Sequence, residues 1–198
     1  MAIKLASIFF TMILVDNYVL AKFLGICPFL GVSKKLDSAV GMSLAVTFVM
    51  VMATAATWPL YMGILAPNGL EYLQTIVFIL VIAILVQLLE NFLKKFIPAL
   101  YKSLGVYLPL ITTNCTILGV TILNLDTGYS FPESIVCAAG AGIGFLVAMV
   151  LFSGVRRKVE QAIVPECFKG LPITLVAAAM TSLSFMGFGG IVEAIFGV

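Results

Sequence analysis

The chain has 198 residues, of which 62% are apolar and only 10% are charged, and its formal net charge is +2. Its mean hydropathy of +1.20 sets it apart from soluble domains, in which about 25% of residues are charged. The composition predicts an all-α integral membrane protein, because long apolar segments cross bilayers as helices. We therefore expect no soluble catalytic domain and no nucleic-acid binding. Histidine is absent, which excludes histidine-ligated haem within this chain.

Six apolar windows follow one another along the chain. The first covers residues 5–33 and is interrupted only by Asp16 and Lys22. The other five are 38–70, 72–89, 103–125, 134–155 and 170–192. Each approaches or exceeds the roughly 18–20 residues that a helix needs to cross a bilayer. The sequence therefore predicts six transmembrane helices that form a single membrane domain, residues 1–198.

The basic residues indicate the orientation of these helices. Of the 11 Lys and Arg residues, all but Lys4 and Lys22 follow the first, third and fifth windows. They are Lys34, Lys35, Lys94, Lys95, Lys102, Arg156, Arg157, Lys158 and Lys169. The positive-inside rule places their loops in the cytoplasm and both termini outside. We interpret the clusters at 34–35 and 156–158 as topology determinants first, with docking of a soluble subunit as the second possibility.

A short motif occurs twice. The segment CPFLGV at 27–32 matches CTILGV at 115–120, with Cys, Leu, Gly and Val in register at an offset of 88 residues. Three predicted crossings separate the two copies, so the copies enter the membrane from opposite sides. This is the arrangement of an inverted-topology repeat. It predicts two halves of three helices each, at about 1–97 and 98–198.

Both motif copies begin with a cysteine at a predicted helix break. Helix-weakening residues stand next to each: Gly25 and Pro28 beside Cys27, and Pro109, Thr112, Thr113 and Asn114 before Cys115. Non-helical backbone in lipid must be covered by protein or line a cavity, and inverted repeats bring broken helices together near the midplane. We therefore expect the first and fourth helices to be broken and their two thiols to face each other.

Three interpretations of this pair remain open at the level of the residues. Each cysteine can be a small buried residue at a helix crossing, the two can form a disulfide, or both can bind metal. An iron–sulfur cluster normally takes four thiolates, so a cluster here requires two more from a second chain built on the same plan. Cys137 and Cys167 lie outside the repeat, and we interpret both as unliganded.

Three longer segments carry a resemblance to a known family. They are DNYVLAKFLGICPFLGVSKKL (16–36), LYKSLGVYLPLITTNCTILGV (100–120) and AMTSLSFMGFGG (179–190). They closely resemble the A subunits of Rnf electron-transport complexes and, less closely, the E subunits of sodium-pumping NADH:quinone reductases. The likeness runs through nearly the whole chain, and LITTNC together with CPFLGVSKK is specific.

The resemblance implies a membrane subunit of a ferredoxin:NAD⁺ oxidoreductase that moves Na⁺ or H⁺ across the bacterial cytoplasmic (inner) membrane, without independent activity. It implies a [2Fe–2S] cluster held by Cys27, Cys115 and two thiolates of a homologous E-type subunit. Rnf subunits of the B, C, D and G types are the further partners it implies. The competing class is a small inverted-repeat secondary transporter or channel with structural cysteines.

Five neighbours of the cysteines are expected to support such a cluster: Gly25, Gly31, Thr113, Asn114 and Gly119. Glycine lets backbone approach closely, and hydrogen bonds to sulfur tune the potential of a cluster. The alternative for all five is ordinary helix packing by small and polar residues.

Charged residues inside the predicted spans are costly and therefore informative. Asp16 and Lys22 are too far apart on a continuous helix to pair, so we expect their partners on other chains. The alternative for Asp16 is a place at the outer end of a helix that begins late, where a carboxylate costs little. For Lys22 a role at a subunit interface comes first and ion passage second. Glu90 is expected to pair with Lys94 one turn later, with a cation-binding carboxylate as the alternative.

Overall fold

The computed structural model describes residues 2–33, 36–96, 108–162 and 164–187, and every regular element among them is a helix. The α-helices are α1 (Ala2–Leu14), α2 (Ile26–Val32), α3 (Leu36–Leu60), α4 (Gln74–Phe96), α5 (Leu108–Thr112), α6 (Cys115–Asp126), α7 (Phe131–Gln161) and α8 (Leu171–Met186). A π-helical turn, Tyr61–Leu65, continues α3. Short 3-10 turns at Glu71–Leu73 and Glu166–Phe168 precede α4 and α8.

In the described part of the chain, three helical segments are long and apolar enough to cross a membrane: Leu36–Leu65, Glu71–Phe92 and Phe131–Gln161. Shorter apolar helices cover Lys4–Leu14, Leu110–Asp126 and Leu171–Met186. The all-helical, membrane-type architecture expected from the composition is confirmed. The number of crossings, six, stays a prediction.

The first predicted span is not one helix. α1 ends at Leu14 and α2 begins at Ile26, and the segment 15–25 between them consists of turns. The interruption expected beside Cys27 is present, but it is longer than the Gly-x-Cys-Pro motif alone indicates. The cysteine itself lies inside the first turn of α2.

Asn17 organises this long interruption. Its Nδ2 donates to the carbonyl of Gly144 on α7 (2.8 Å), and its Oδ1 accepts from the amides of Val19 (3.0 Å) and Leu20 (3.3 Å). The residue is fully buried. Backbone groups that leave a helix inside a membrane protein need other partners, and this side chain supplies them.

The fourth predicted span is interrupted over only two residues. α5 ends at Thr112 and α6 begins at Cys115. Pro109 is near the start of α5, where a missing N–H costs little, so the break falls at Thr113 and Asn114 and not at the proline. Asn114 caps α6, because its Oδ1 accepts from the amide of Thr116 at 3.0 Å.

α7 is the central helix. Within its spanning window 56% of the residues are buried, against 17% for α4. Glycines allow this burial: a Cβ at Gly144 would lie 2.9 Å from the carbonyl oxygen of Met12, and one at Gly142 would lie 2.4 Å from Cγ2 of Thr47. Small residues at such contacts let helix backbones approach closely, so α1 and α3 pack directly on α7.

Contacts between helix ends show the relative directions of the helices. Lys4 at the start of α1 pairs with Glu133 at the start of α7 (2.7 Å). Trp58 near the end of α3 donates to the carbonyl of Tyr129, just before α7 (3.1 Å). Hence α1 and α7 begin at the end of the molecule where α3 finishes, as the predicted order of crossings requires. Which end is cytoplasmic rests on the basic residues, of which Lys34, Lys35 and Lys102 lie outside the described residues.

Candidate functional site

A hydrogen bond joins the two cysteine segments. The backbone N–H of Gly25 donates to Sγ of Cys115 at a distance of 2.9 Å. Gly25 stands two residues before Cys27, so the start of α2 lies against the start of α6. The two copies of the motif are therefore neighbours in space, as the repeat led us to expect.

The two motif copies expose and bury corresponding positions. Cys27 and Cys115 are both exposed free thiols. The third and sixth positions are buried in both copies: Phe29 and Val32 in the first, Ile117 and Val120 in the second. Neither thiol is packed inside this chain, and no disulfide joins them, because all four cysteines are free. Both thiols are thus accessible to a group outside the chain.

Gly25 adopts a conformation that only glycine takes up without strain, with φ 82° and ψ 28°. A Cβ at this position would lie 2.1 Å from Oγ1 of Thr116 and 3.2 Å from Oδ1 of Asn114. Glycine is required here for the left-handed backbone and also for the close approach to α6. This approach brings its N–H within reach of the Cys115 sulfur.

Two buried polar side chains beside Cys115 keep unused hydrogen-bonding groups. Asn114 is 4% exposed and Thr116 is fully buried. Among the described residues, neither Nδ2 of Asn114 nor Oγ1 of Thr116 has a hydrogen-bond partner. Buried polar groups normally have one. Sequence reasoning named Asn114 but missed Thr116. The available signal was its place in the motif, where the other copy has Pro28.

The remaining predicted neighbours have different surroundings. The side chain of Leu24 packs directly on Gly119, because a Cβ at residue 119 would lie 2.6 Å from Cδ1 of Leu24. Its counterpart in the repeat, Gly31, is exposed, and no atom of the described residues lies within 4 Å of the position of a Cβ there. Thr113 lies in the second break and lines a pocket of about 310 Å³ next to Cys115, against α4.

Two backbone features place hydrogen-bond donors near the sulfur of Cys115. It is the first residue of the 12-residue helix α6, and the first turn of a helix has free N–H groups and the positive end of the helix dipole. The N–H of Gly25 adds a donor from another segment. Backbone donors of this kind support thiolate ligands of metals.

The donor set fits part of an iron–sulfur site. Two exposed thiols are available, but nowhere in the described ranges do three or more His, Cys, Asp or Glu side chains gather as a metal site would require. Cys137 is fully buried in α7, and Cys167 is exposed in the 3-10 turn before α8. A site of four thiolates therefore needs ligands from elsewhere.

The expectation that Asp16 and Lys22 are too far apart to pair with each other is wrong. They pair with each other, with 3.8 Å between Oδ1 and Nζ. Nζ of Lys22 also lies 4.8 Å from the centroid of the Tyr18 ring. The prediction assumed a continuous helix, whereas the turns of the segment 15–25 bring the two side chains together.

The predicted pair of Glu90 with Lys94 is also not formed among the ion pairs of the described residues. Glu90 instead accepts a hydrogen bond from Nε2 of Gln87 at 3.5 Å. Charge pairs one turn apart on an exposed helix are worth only about 0.3–0.5 kcal/mol, so a neutral neighbour competes with them readily.

Fold and site together define a class of protein: a helical membrane protein that presents two exposed thiols at adjacent helix starts. Residues 5–192 match the family described as "Rnf-Nqr subunit, membrane protein". The chain belongs to this family.

Individual relatives are similar over almost their whole length. In Syntrophotalea carbinolica, the relative named as the A subunit of an ion-translocating oxidoreductase complex is 55% identical, over 91% of this chain and 93% of that protein. In Acetobacterium woodii, the relative named as the A subunit of the Na⁺-translocating ferredoxin:NAD⁺ oxidoreductase complex is 53% identical, over 94% of this chain and 97% of that protein. In Serratia proteamaculans, the relative named as the A subunit of an ion-translocating oxidoreductase complex is 52% identical, over 91% of this chain and 94% of that protein. The resemblance to Rnf A subunits is confirmed.

Proposed function

We propose that Cys27 and Cys115 are two of the four thiolate ligands of a [2Fe–2S] cluster shared with a homologous E-type membrane subunit. This chain is then one component of an ion-translocating ferredoxin:NAD⁺ oxidoreductase and has no activity alone. The names of its relatives support membership of such a complex. The observation that carries the cluster proposal is the Gly25 to Cys115 hydrogen bond, which joins the segments of two exposed thiols.

The residues of this chain have distinct roles in that proposal. A bound cluster of this type accepts and passes on one electron at a time. Cys27 and Cys115 would hold such a cluster through their thiolates, and the N–H of Gly25 would donate a hydrogen bond to the Cys115 sulfur. The buried Phe29 and Ile117 keep water away from the inner side of the site. Across a hydrocarbon layer about 30 Å thick, a relay inside the membrane replaces one long electron transfer by two shorter ones.

The proposal includes the six-helix inverted repeat, with both termini outside the bacterial cytoplasmic membrane. The order of the helices supports it, since each half has a short helix, a break, a helix that starts at a cysteine motif, a long helix and a further apolar helix. These are α1 to α4 in the first half and α5 to α8 in the second. The positive-inside rule supports the orientation.

Electron transfer through this site is coupled, in our proposal, to the movement of Na⁺ or H⁺ by the complex. One relative is named as Na⁺-translocating, whereas others are named only as ion-translocating. Rnf subunits of the B, C, D and G types complete the assembly. In a competing transporter or channel the two thiols would have no metal to bind.

Iron content tests the proposal directly. The chain is co-expressed with its complex, and iron and the electron paramagnetic resonance signal of the reduced protein are measured. Cys27→Ser and Cys115→Ser each remove the signal of this cluster and its two irons, because a cluster lacking one of its four thiolates is lost. Cys167→Ser, at an exposed cysteine outside the motif, is the matched control and keeps both. Full iron content in either of the first two variants contradicts the proposal, and a wild-type complex without this cluster favours the transporter class.

A further inference from the structure

The helix that carries Cys27 is too short to hold its own position. α2 has seven residues, and isolated helices shorter than about 12 residues are not stable in water even for good helix formers. Contacts with other parts of the chain must therefore fix α2. At its N-terminal end the contact is the hydrogen bond from Gly25 to Cys115.

Besides its contacts with α3 and α5, α2 packs against one face of α7. The ring of Phe152 stacks on that of Phe29, with centroids 4.1 Å apart and planes at 23°. Both rings are buried. Arg156 follows Phe152 by four residues and so lies on the same face of α7, one turn further on.

Arg156 binds the C-terminal end of α2. Its Nη1 donates to the carbonyl oxygen of Leu30 and to Oγ of Ser33 (2.8 Å), and its Nε donates to Glu160 (3.3 Å). Arg156 is 9% exposed and Ser33 is fully buried. A cation at a helix C-terminus satisfies the last carbonyls and interacts favourably with the helix dipole.

Topology alone does not account for this residue. Arg157 is exposed and supplies positive charge to the same loop without the cost of burial. A buried guanidinium requires partners for its donors, and two of those partners belong to the last turn of α2 and the residue that follows it. The contacts of Arg156 therefore fit a structural task at α2.

We infer that Arg156 is a positioning residue for Cys27. Its hydrogen bonds hold α2 on α7, and α2 in turn fixes the position of the Cys27 thiol relative to the contact between Gly25 and Cys115. Its importance for a cluster rests on the proposed function, whereas its effect on the thiol does not. The planar guanidinium forms directed bonds to Leu30, Ser33 and Glu160 at once, and a lysine ammonium lacks this fork geometry. We therefore expect Arg156→Lys to fix the position of α2 less well than arginine and better than glutamine.

The first test needs no iron. Membranes that contain the full chain with its complex are treated with a chelator and then with N-ethylmaleimide, and the alkylation of each cysteine is followed by mass spectrometry. Arg156→Gln changes the rate at Cys27 by about threefold or more, the effect of one lost hydrogen bond, and leaves Cys167 unchanged. Arg157→Gln, the matched control with the same loss of charge, leaves both rates unchanged.

The second test uses the assembled complex. Arg156→Gln shifts the midpoint potential and broadens the resonance of the cluster, while Arg156→Lys gives intermediate values and Arg157→Gln gives those of the wild type. If Arg156→Gln does not accumulate, the same measurements are made on Arg156→Lys and on the milder variant Ser33→Ala. Wild-type alkylation at Cys27 in the accumulating variants overturns the inference. A wild-type complex without the cluster overturns the proposed function instead. In that case the alkylation rate at Cys27 alone tests the role of Arg156.

Discussion

The chain is interrupted before each motif cysteine, and the two interruptions are built differently. The first, 15–25, is a series of turns held by the buried side chain of Asn17, which binds α7 and the turns themselves. The second is only Thr113 and Asn114, and a capping bond from the amide of Thr116 to Asn114 closes it. The helices that follow nevertheless bury the same motif positions.

This difference shows that the motif determines the helix after the break and not the break itself. Apolar residues at the third and sixth motif positions must face the core in both halves, and this sets the rotation of α2 and α6. The length of each break depends on which neighbours can satisfy the free backbone groups. Gly144 on α7 offers the first break an accessible carbonyl, whereas the second relies on a cap of its own.

The largest expected effect is at the contact between the two breaks. Gly25→Ala forces a side chain into a left-handed conformation and against Oγ1 of Thr116, and we expect a loss of about 3 kcal/mol in unfolding free energy from strain and overpacking. Gly31→Ala, where the Cβ would meet nothing, is the control and stays close to the wild type. Titration with SDS in mixed micelles measures both. Equal stabilities of the two variants would contradict the role given to Gly25.

Removal of the side chain that holds the first break comes next. Asn17→Ala loses the bonds to Gly144, Val19 and Leu20 and leaves buried backbone groups unpaired, for which we expect about 2 kcal/mol of destabilisation. Asn68→Ala removes one bond of an exposed asparagine to the carbonyl of Ile64 and costs far less. The same SDS titration compares them. If the Asn17→Ala and Asn68→Ala proteins were equally stable, the side chain of Asn17 would not be needed to stabilise the first break.

The second break has a smaller dependence on its asparagine. Asn114→Ala removes the cap of α6 and should cost about 1 kcal/mol. Asn114→Ser keeps a capping oxygen and recovers most of this loss. Thermal unfolding in detergent, followed by tryptophan fluorescence, is sensitive enough for the comparison. No difference between the Ala and Ser variants would mean that the cap contributes nothing.

The smallest effect is expected for the ion pair inside the first break. Asp16 and Lys22 are partly exposed, with side chains 43% and 33% accessible, and exposed pairs contribute at most about 1 kcal/mol. A double-mutant cycle of Asp16→Asn and Lys22→Gln measures the coupling. A coupling well above that limit would assign the pair a structural role that its exposure does not suggest.

Part of the fold and of the site could be predicted from the sequence. The membrane class follows from composition, and the neighbourhood of the two cysteine segments follows from the repeat. The pairing of Asp16 with Lys22 could not be predicted, because it depends on turns where the sequence favours a continuous helix. The role of Arg156 could not be predicted either, since a basic residue in a loop cluster is interpreted as a topology determinant until its neighbours in space are known.

The sequence by itself determined that the chain is helical and membrane-embedded, and that two cysteines occupy equivalent positions, because hydropathy and repetition are properties of residue order. Only the tertiary structure decided that the N–H of Gly25 reaches the sulfur of Cys115, that Thr116 lines the contact and that Arg156 holds the end of α2. These contacts join residues about 90 or more positions apart, and they depend on how closely helix backbones approach. No local sequence pattern encodes how closely two helix backbones approach each other.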